Sequence, residues 1–184
     1  MTPEKFVDIA MSNPANIALM SRLSSLGLSE GYLTAGCLFQ PVWNRVSGWP
    51  IDRGIKDYDV FYFDAHDLSW EAENSIIRRV EQITDDLGIK VETRNQARVH
   101  LWYEQRFGVR CPQLLSARDG IDRFLISCTC VGIEISTNQL YAPNGLQDLA
   151  DGVLRMNPTN AQPTLFRRKA ADYQARWPWL KVAG

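Results

Sequence analysis

The stretch Gly54-Ile55-Lys56-Asp57-Tyr58-Asp59-Val60-Phe61-Tyr62-Phe63 decides how the chain is read. From Asp57 onward it is rich in aromatic and β-branched residues, which suit a half-buried pleated surface, and it predicts a strand over 57–63. Side chains alternate across a strand. Asp57 and Asp59 therefore leave by one face, and Tyr58, Val60 and Tyr62 by the other. Two like charges held together are costly unless a cation neutralises them, and all-oxygen ligation with open positions suits Mg²⁺ or Mn²⁺. The plainer alternative is two solvated acids on an edge strand.

Working outward, Ile76, Val80, Ile83 and Leu87 recur at helical spacing within 69–87, with acids in the first turn and Gly88 at the C-terminal cap position. This helix returns the chain to a second predicted strand over 89–93, which carries Glu92. If the two strands pair, Glu92 completes a three-carboxylate cluster. A helix is expected over 95–107, closed by Gly108, and Ser116-Ala117-Arg118-Asp119 has capping-box spacing for another. Upstream, Pro3 and Asn13-Pro14 start two helices within 1–27, and Tyr32 to Gly36 is a short apolar approach to a helix over 37–46. Downstream, a strand is expected over 127–136, a short one at 140–142, a turn at Pro143-Asn144-Gly145 and a closing helix over 163–176. The expected architecture is α/β (α+β): a small mixed sheet flanked by helices. Residues 1–184 are expected to form one domain, with N-terminal helices over 1–28, a core over 30–158 and a helical tail over 160–184.

Composition narrows the function. The 184 residues are 45% hydrophobic and 22% charged, ordinary for one globular domain, and 20 basic residues offset 21 acidic ones. That balance carries no strong nucleic-acid signal, although it leaves room for a local basic patch. No apolar run approaches the roughly 18 residues needed to span a bilayer, and the first residues lack a secretory layout, so a cytoplasmic protein without a membrane partner is expected. Cys37, Cys111, Cys128 and Cys130 form no C-x-x-C pair and read as buried or incidental thiols.

The chain resembles the DNA polymerase β-like nucleotidyltransferase superfamily. Ala35-Gly36-Cys37 matches the hydrophobic-glycine segment, Asp57-Tyr58-Asp59-Val60 the acid-hydrophobic-acid strand, and Glu92 the third acid. Cys37 stands where the superfamily places glycine or a small hydroxyl. More closely, 30–158 resembles a bacterial family of nucleotidyltransferase-like proteins, in Ala35-Gly36, Val42-Trp43-Asn44, Ile55-Lys56-Asp57-Tyr58-Asp59, Val91 to Tyr103 and Tyr141 to Leu146. The resemblance implies transfer of a nucleoside monophosphate from an NTP to an acceptor hydroxyl the sequence does not identify. Two metals about 3.5–4 Å apart would be held by Asp57, Asp59 and Glu92. The amides around Gly36 and Cys37 would receive phosphate at a helix start.

The stretch Arg94-Asn95-Gln96-Ala97-Arg98-Val99-His100-Leu101-Trp102-Tyr103 is the second dense cluster. On a helix, Asn95, Arg98 and Trp102 share one face beside Glu92, so Arg98 is a candidate phosphate ligand and Asn95 a base or sugar ligand. Core packing or local ion pairs explain Arg98 equally well, and explain Trp102 better. His100 reads as structural rather than as a base. Lys56 alternates to the face opposite Asp57, and Asn44 and Arg45 fit either a nucleotide contact or a helix surface. One enzyme rival is a haloacid-dehalogenase-type phosphatase, whose D-x-D closes an apolar strand, whereas here the apolar strand follows Asp57. A catalytically silent nucleotide- or protein-binding module on the same fold is the rival from outside the enzymes.

Overall fold

The helix starts follow from side chains that accept the first free amides. In the computed structural model, which describes residues 1–183, α1 (Pro3–Met11) is capped by Thr2 and α2 (Pro14–Leu23) by Asn13, each with proline in its first turn. β1 (Tyr32–Thr34) then leads directly into α3 (Gly36–Val46). β2 (Tyr58–Tyr62) is followed by α4 (Trp70–Thr84), capped by Ser69 and ended at a left-handed Gly88, after which β3 (Val91–Asn95) runs parallel to β2. The chain continues through α5 (Val99–Phe107), α6 (Ala117–Ile121), β4 (Gly132–Glu134), β5 (Leu140–Tyr141), α7 (Gln147–Asp151), β6 (Val153–Leu154), α8 (Pro163–Arg176) and β7 (Lys181–Val182).

Five strands form one mixed sheet in the order β3-β2-β1-β4-β5, and β6 pairs with β7 alone. Register settles the faces. Thr34, Asp59 and Glu92 are aligned neighbours on β1, β2 and β3, so they share the front face, as Leu33, Val60 and Thr93 share the back. The back carries the main core: Leu33, Val60 and Ile133 pack with Phe6, Leu19, Leu23 and Val80 from α1, α2 and α4. On the front, Ile121 of α6 covers the β1–β4 half, seated where Gly132 has no side chain. The β2–β3 half is left open.

α3 contains Pro41, which has no N–H for the carbonyl of Cys37 four residues earlier. That acceptor is met instead by the fully buried Asn16, whose amide donates to Cys37 O at 2.7 Å and to Ala10 O at 2.8 Å. The helix start is thereby tied to α1 and α2. Its far end is tied to α8 by an aromatic cluster, with ring centroids 5.2 Å apart for both Trp43–Tyr173 and Trp43–Trp177. Asn44 is part of this joint and faces no nucleotide: it accepts from Trp177 Nε1 at 2.9 Å and donates to Ile51 O and Arg53 O. Arg45 is exposed.

Two expected elements differ. The strand expected over 127–136 is only Gly132–Glu134, because Ser127–Thr129 closes into a 3-10 turn in which Thr129 Oγ1 donates to Ile126 O at 2.7 Å. Such local side-chain bonds offer the backbone an alternative to a ladder. The helix expected to begin at Asn95 begins at Val99. Asn95 ends β3, and Gln96–Arg98 is a 3-10 turn capped by the Asn95 side chain.

Candidate active site

A cleft of about 400 Å³ opens on the uncovered front of β2 and β3. Asp57 immediately precedes β2 and Asp59 is its second residue, so the acids open the strand rather than close it, unlike the phosphatase arrangement. Glu92 lies beside Asp59 in the parallel ladder, and all three line the cleft. Their charges are not balanced at Asp59. Burial, then the neighbouring charges of Asp57 and Glu92, push its carboxyl up to about 7, against the weaker pull of Lys169 and Arg94. The side chain is partly open to the cleft yet closely ringed by protein.

Glu92 is on the expected strand and face, but its carboxylate is not free for the other two. Lys90, two residues earlier on the same side, forms an ion pair with it and holds it below the usual carboxylate range. Among the described residues, no three acidic, histidine or cysteine side chains close around one point. The expected three-carboxylate cluster is thus two aspartates with a paired third acid beside them. This donor set still fits a divalent cation, since a magnesium ion commonly takes one or two carboxylates and completes its shell with water and phosphate.

Gly36 lines the cleft at the start of α3, where no side chain caps the helix and the first amides have no acceptor within it. Ala35, just before, has φ 61°, a left-handed backbone that favours glycine and costs an alanine about 1–3 kcal/mol. Cys37 does not line the cleft. Its thiol is fully buried and donates to Thr34 O at 3.1 Å, and burial followed by the charge of Asp59 pushes its pKa well up.

The structure separates Asn95 and Arg98 from the acids. Asn95 clamps the ends of β2 and β3, accepting from Asp64 N at 3.0 Å and donating to Asp64 O at 2.8 Å. Arg98 is buried in an ion pair with Glu73 of α4, and its Nε donates to Leu68 O at 2.9 Å. Neither lines the acidic cleft, so a substrate would meet their supporting role first. The reason is the helix boundary: strand alternation at 95 sends Asn95 to the back, and a 3-10 turn replaces the helical face. His100 also lies outside the cleft, its Nδ1 buried without a partner, and Lys56 is exposed. Trp102, expected in the core, is instead a half-exposed wall residue.

Residues the sequence did not nominate complete the cleft. Lys169 and Tyr173 reach it from α8, Arg106 from α5, Arg123 from the segment after α6, and Phe61 and Phe124 form an edge-to-face pair at 5.9 Å. Lys169 sits more than a hundred positions from Asp59, so no local pattern could reveal it. Arg94 was visible, being two residues after Glu92 on the same face.

The cleft thus holds two acids that have no ion-pair partner among the described residues, at a strand start beside the α3 start at Gly36. A nucleotidyltransferase family model matches residues 21–182, and the chain belongs to that family. The fold agrees: a solved structure described as a CCA-adding enzyme head domain superimposes with a TM-score of 0.76 at 21% identity, covering 100% of this chain and 96% of that one. No curated protein matches the sequence. Among the described residues no helix is long and apolar enough to cross a membrane.

Proposed function

We propose that the protein is an NTP-dependent nucleotidyltransferase that requires Mg²⁺ or Mn²⁺ and joins a nucleoside monophosphate to an acceptor hydroxyl. The observation that supports this best is the placement of Asp57, Asp59 and Glu92 together along one cleft at the open front of β2 and β3. Asp57 and Asp59 would hold the cation, with Glu92 entering on release from Lys90. Bound there, the cation would supply charge neutralisation at the reacting phosphate. The chain's own residues do the rest. The α3 amides around Gly36, on the side of β2 away from β3, and the Lys169 ammonium offer positive charge to the polyphosphate. Phe61 and Phe124 offer an apolar wall to the base. Glu92, at the β3 edge, faces the side where an acceptor hydroxyl would arrive. A cytoplasmic location, where triphosphates and Mg²⁺ are abundant, accords with this reading.

The test is a label-transfer screen, with purified protein, Mg²⁺ or Mn²⁺, each α-labelled triphosphate and a cell extract. Labelled acceptor with release of pyrophosphate is expected. Thermal stabilisation by Mg²⁺-triphosphate without transfer to any acceptor would favour a silent nucleotide-binding module, and no stabilisation at all would sink both the transferase and that module.

A further inference from the structure

A second groove, about 440 Å³, adjoins the cleft, with Arg94, Trp102 and Arg106 lining both. Its outer wall is Trp70, the first residue of α4, which is 55% exposed. A tryptophan that open to solvent gains little from folding. Trp70 meets Arg98 on one side, with the guanidinium 5.7 Å from the ring centroid, and Trp102 meets Arg106 at 5.9 Å. Glu73 and Arg98 cancel each other at the groove floor. The net charge is therefore that of Arg94 and Arg106, and among the described residues neither has an acidic partner within ion-pair distance. Arg94 spends one donor on Thr93 O at 3.0 Å.

Resting on the nucleotidyltransferase reading, we propose that this groove receives the acceptor, and that the acceptor is the end of a single-stranded polynucleotide. Flat aromatic faces interleaved with unpaired guanidinium groups match stacked bases and a phosphate backbone. The position supports the same occupant. β3 is the edge strand of the sheet, so a chain lying over Trp70 and Trp102 reaches Glu92 without crossing another strand. The donor end begins at Gly36, which follows β1 on the side of β2 opposite β3. Because the whole chain has a net charge of only −1, attraction would be local to the groove rather than a property of the surface at large.

The experiment is fluorescence anisotropy of the full chain with 5′-labelled ten-nucleotide RNA and DNA, single-stranded and duplex, without triphosphate. Single strands of either sugar are expected to bind more tightly than duplex, and to weaken with salt by a log–log slope of about −0.7 per phosphate neutralised. Trp70→Ala and Trp102→Ala should each weaken binding about 5- to 100-fold. Arg106→Ala should reduce the slope by about 0.7. Trp70→Phe should bind nearly as the parent does, which separates loss of stacking from loss of fold. A melting series with Mg²⁺-triphosphate runs beside it, and Trp70→Ala should keep the parent's response there. Absence of binding at low salt, or equal binding by parent and both alanine variants, would overturn the groove assignment while leaving triphosphate stabilisation intact. Loss of that stabilisation in the parent would instead strike the nucleotidyltransferase reading. Transfer of label only to protein in an extract whose nucleic acid is intact would also overturn the polynucleotide acceptor.

Discussion

Two groups of charge flank β3, and they are handled in opposite ways. Behind the strand, Glu73 and Arg98 are both buried and paired, and Glu73 also accepts from Asn95 N at 2.9 Å, so every charge there is spent on holding β3 to α4. In front, Asp57 and Asp59 line a cleft where Lys169 and Arg94 pull only weakly on Asp59, and of the three acids there only Glu92 is held in an ion pair among the described residues. Charge that is compensated inside the protein supports the fold, whereas charge left surplus at an opening is available to a ligand. Acidic side chains on the two sides of one strand thus serve scaffold and site.

Breaking the scaffold pair should have the largest effect on stability. Arg98→Ala leaves Glu73 buried and unpaired, and such a break typically costs about 3–5 kcal/mol. Chemical denaturation should show a loss of that size. A loss well under 1 kcal/mol would mean that Arg98 is not structural, and would reopen it as a ligand.

Asp59→Asn attacks the other side of the comparison. It removes surplus charge while keeping shape, so transfer should fall on the order of 10²–10³, about 2.7–4 kcal/mol of barrier. Stabilisation by Mg²⁺-triphosphate should fall with it, while the metal-free fold is retained. Equal ligand responses in parent and variant would remove Asp59 from the site.

Asn16→Ala tests whether the helix start at the cleft depends on a remote buried amide. It leaves the Cys37 and Ala10 carbonyls without their donor, at a cost of about 1–3 kcal/mol for each buried polar group left unsatisfied. Reduced stability together with weaker triphosphate response is expected. A thermal melt matching the parent would show that α3 satisfies those carbonyls in another way.

The last test is a pH dependence. The folded Asp59 carboxyl titrates at about 7 against an ordinary value of 3.8, so the folded state holds a proton that the unfolded chain has already released. The stability this contributes is full below about pH 3.8 and is lost as pH rises through 7. In metal-free buffer the Tm of Asp59→Asn should therefore overtake the parent's progressively between about pH 4 and 7, by roughly 10 °C, and level off above. A constant Tm difference across that window would show that Asp59 is not strained by burial and its neighbours.

Much of the architecture was legible locally. Caps at Thr2, Asn13, Ser69 and Ser116, left-handed glycines at 88 and 108, and the alternation of Asp57 to Phe63 all act within a few residues, where backbone sterics and local hydrogen bonds decide. The placement of Asp57, Asp59 and Glu92 on one face followed from the two-residue period of paired strands. Their placement in one cleft is what the sequence by itself determined about the site. Tertiary structure decided which charges were free. Glu73 lies 25 positions before Arg98 yet neutralises it, Lys90 engages Glu92, and Lys169 arrives from α8 because Trp43, Tyr173 and Trp177 pack together. Pairing and burial depend on elements far apart in the chain, and the free energy of a charge depends on those surroundings more than on its neighbours in sequence.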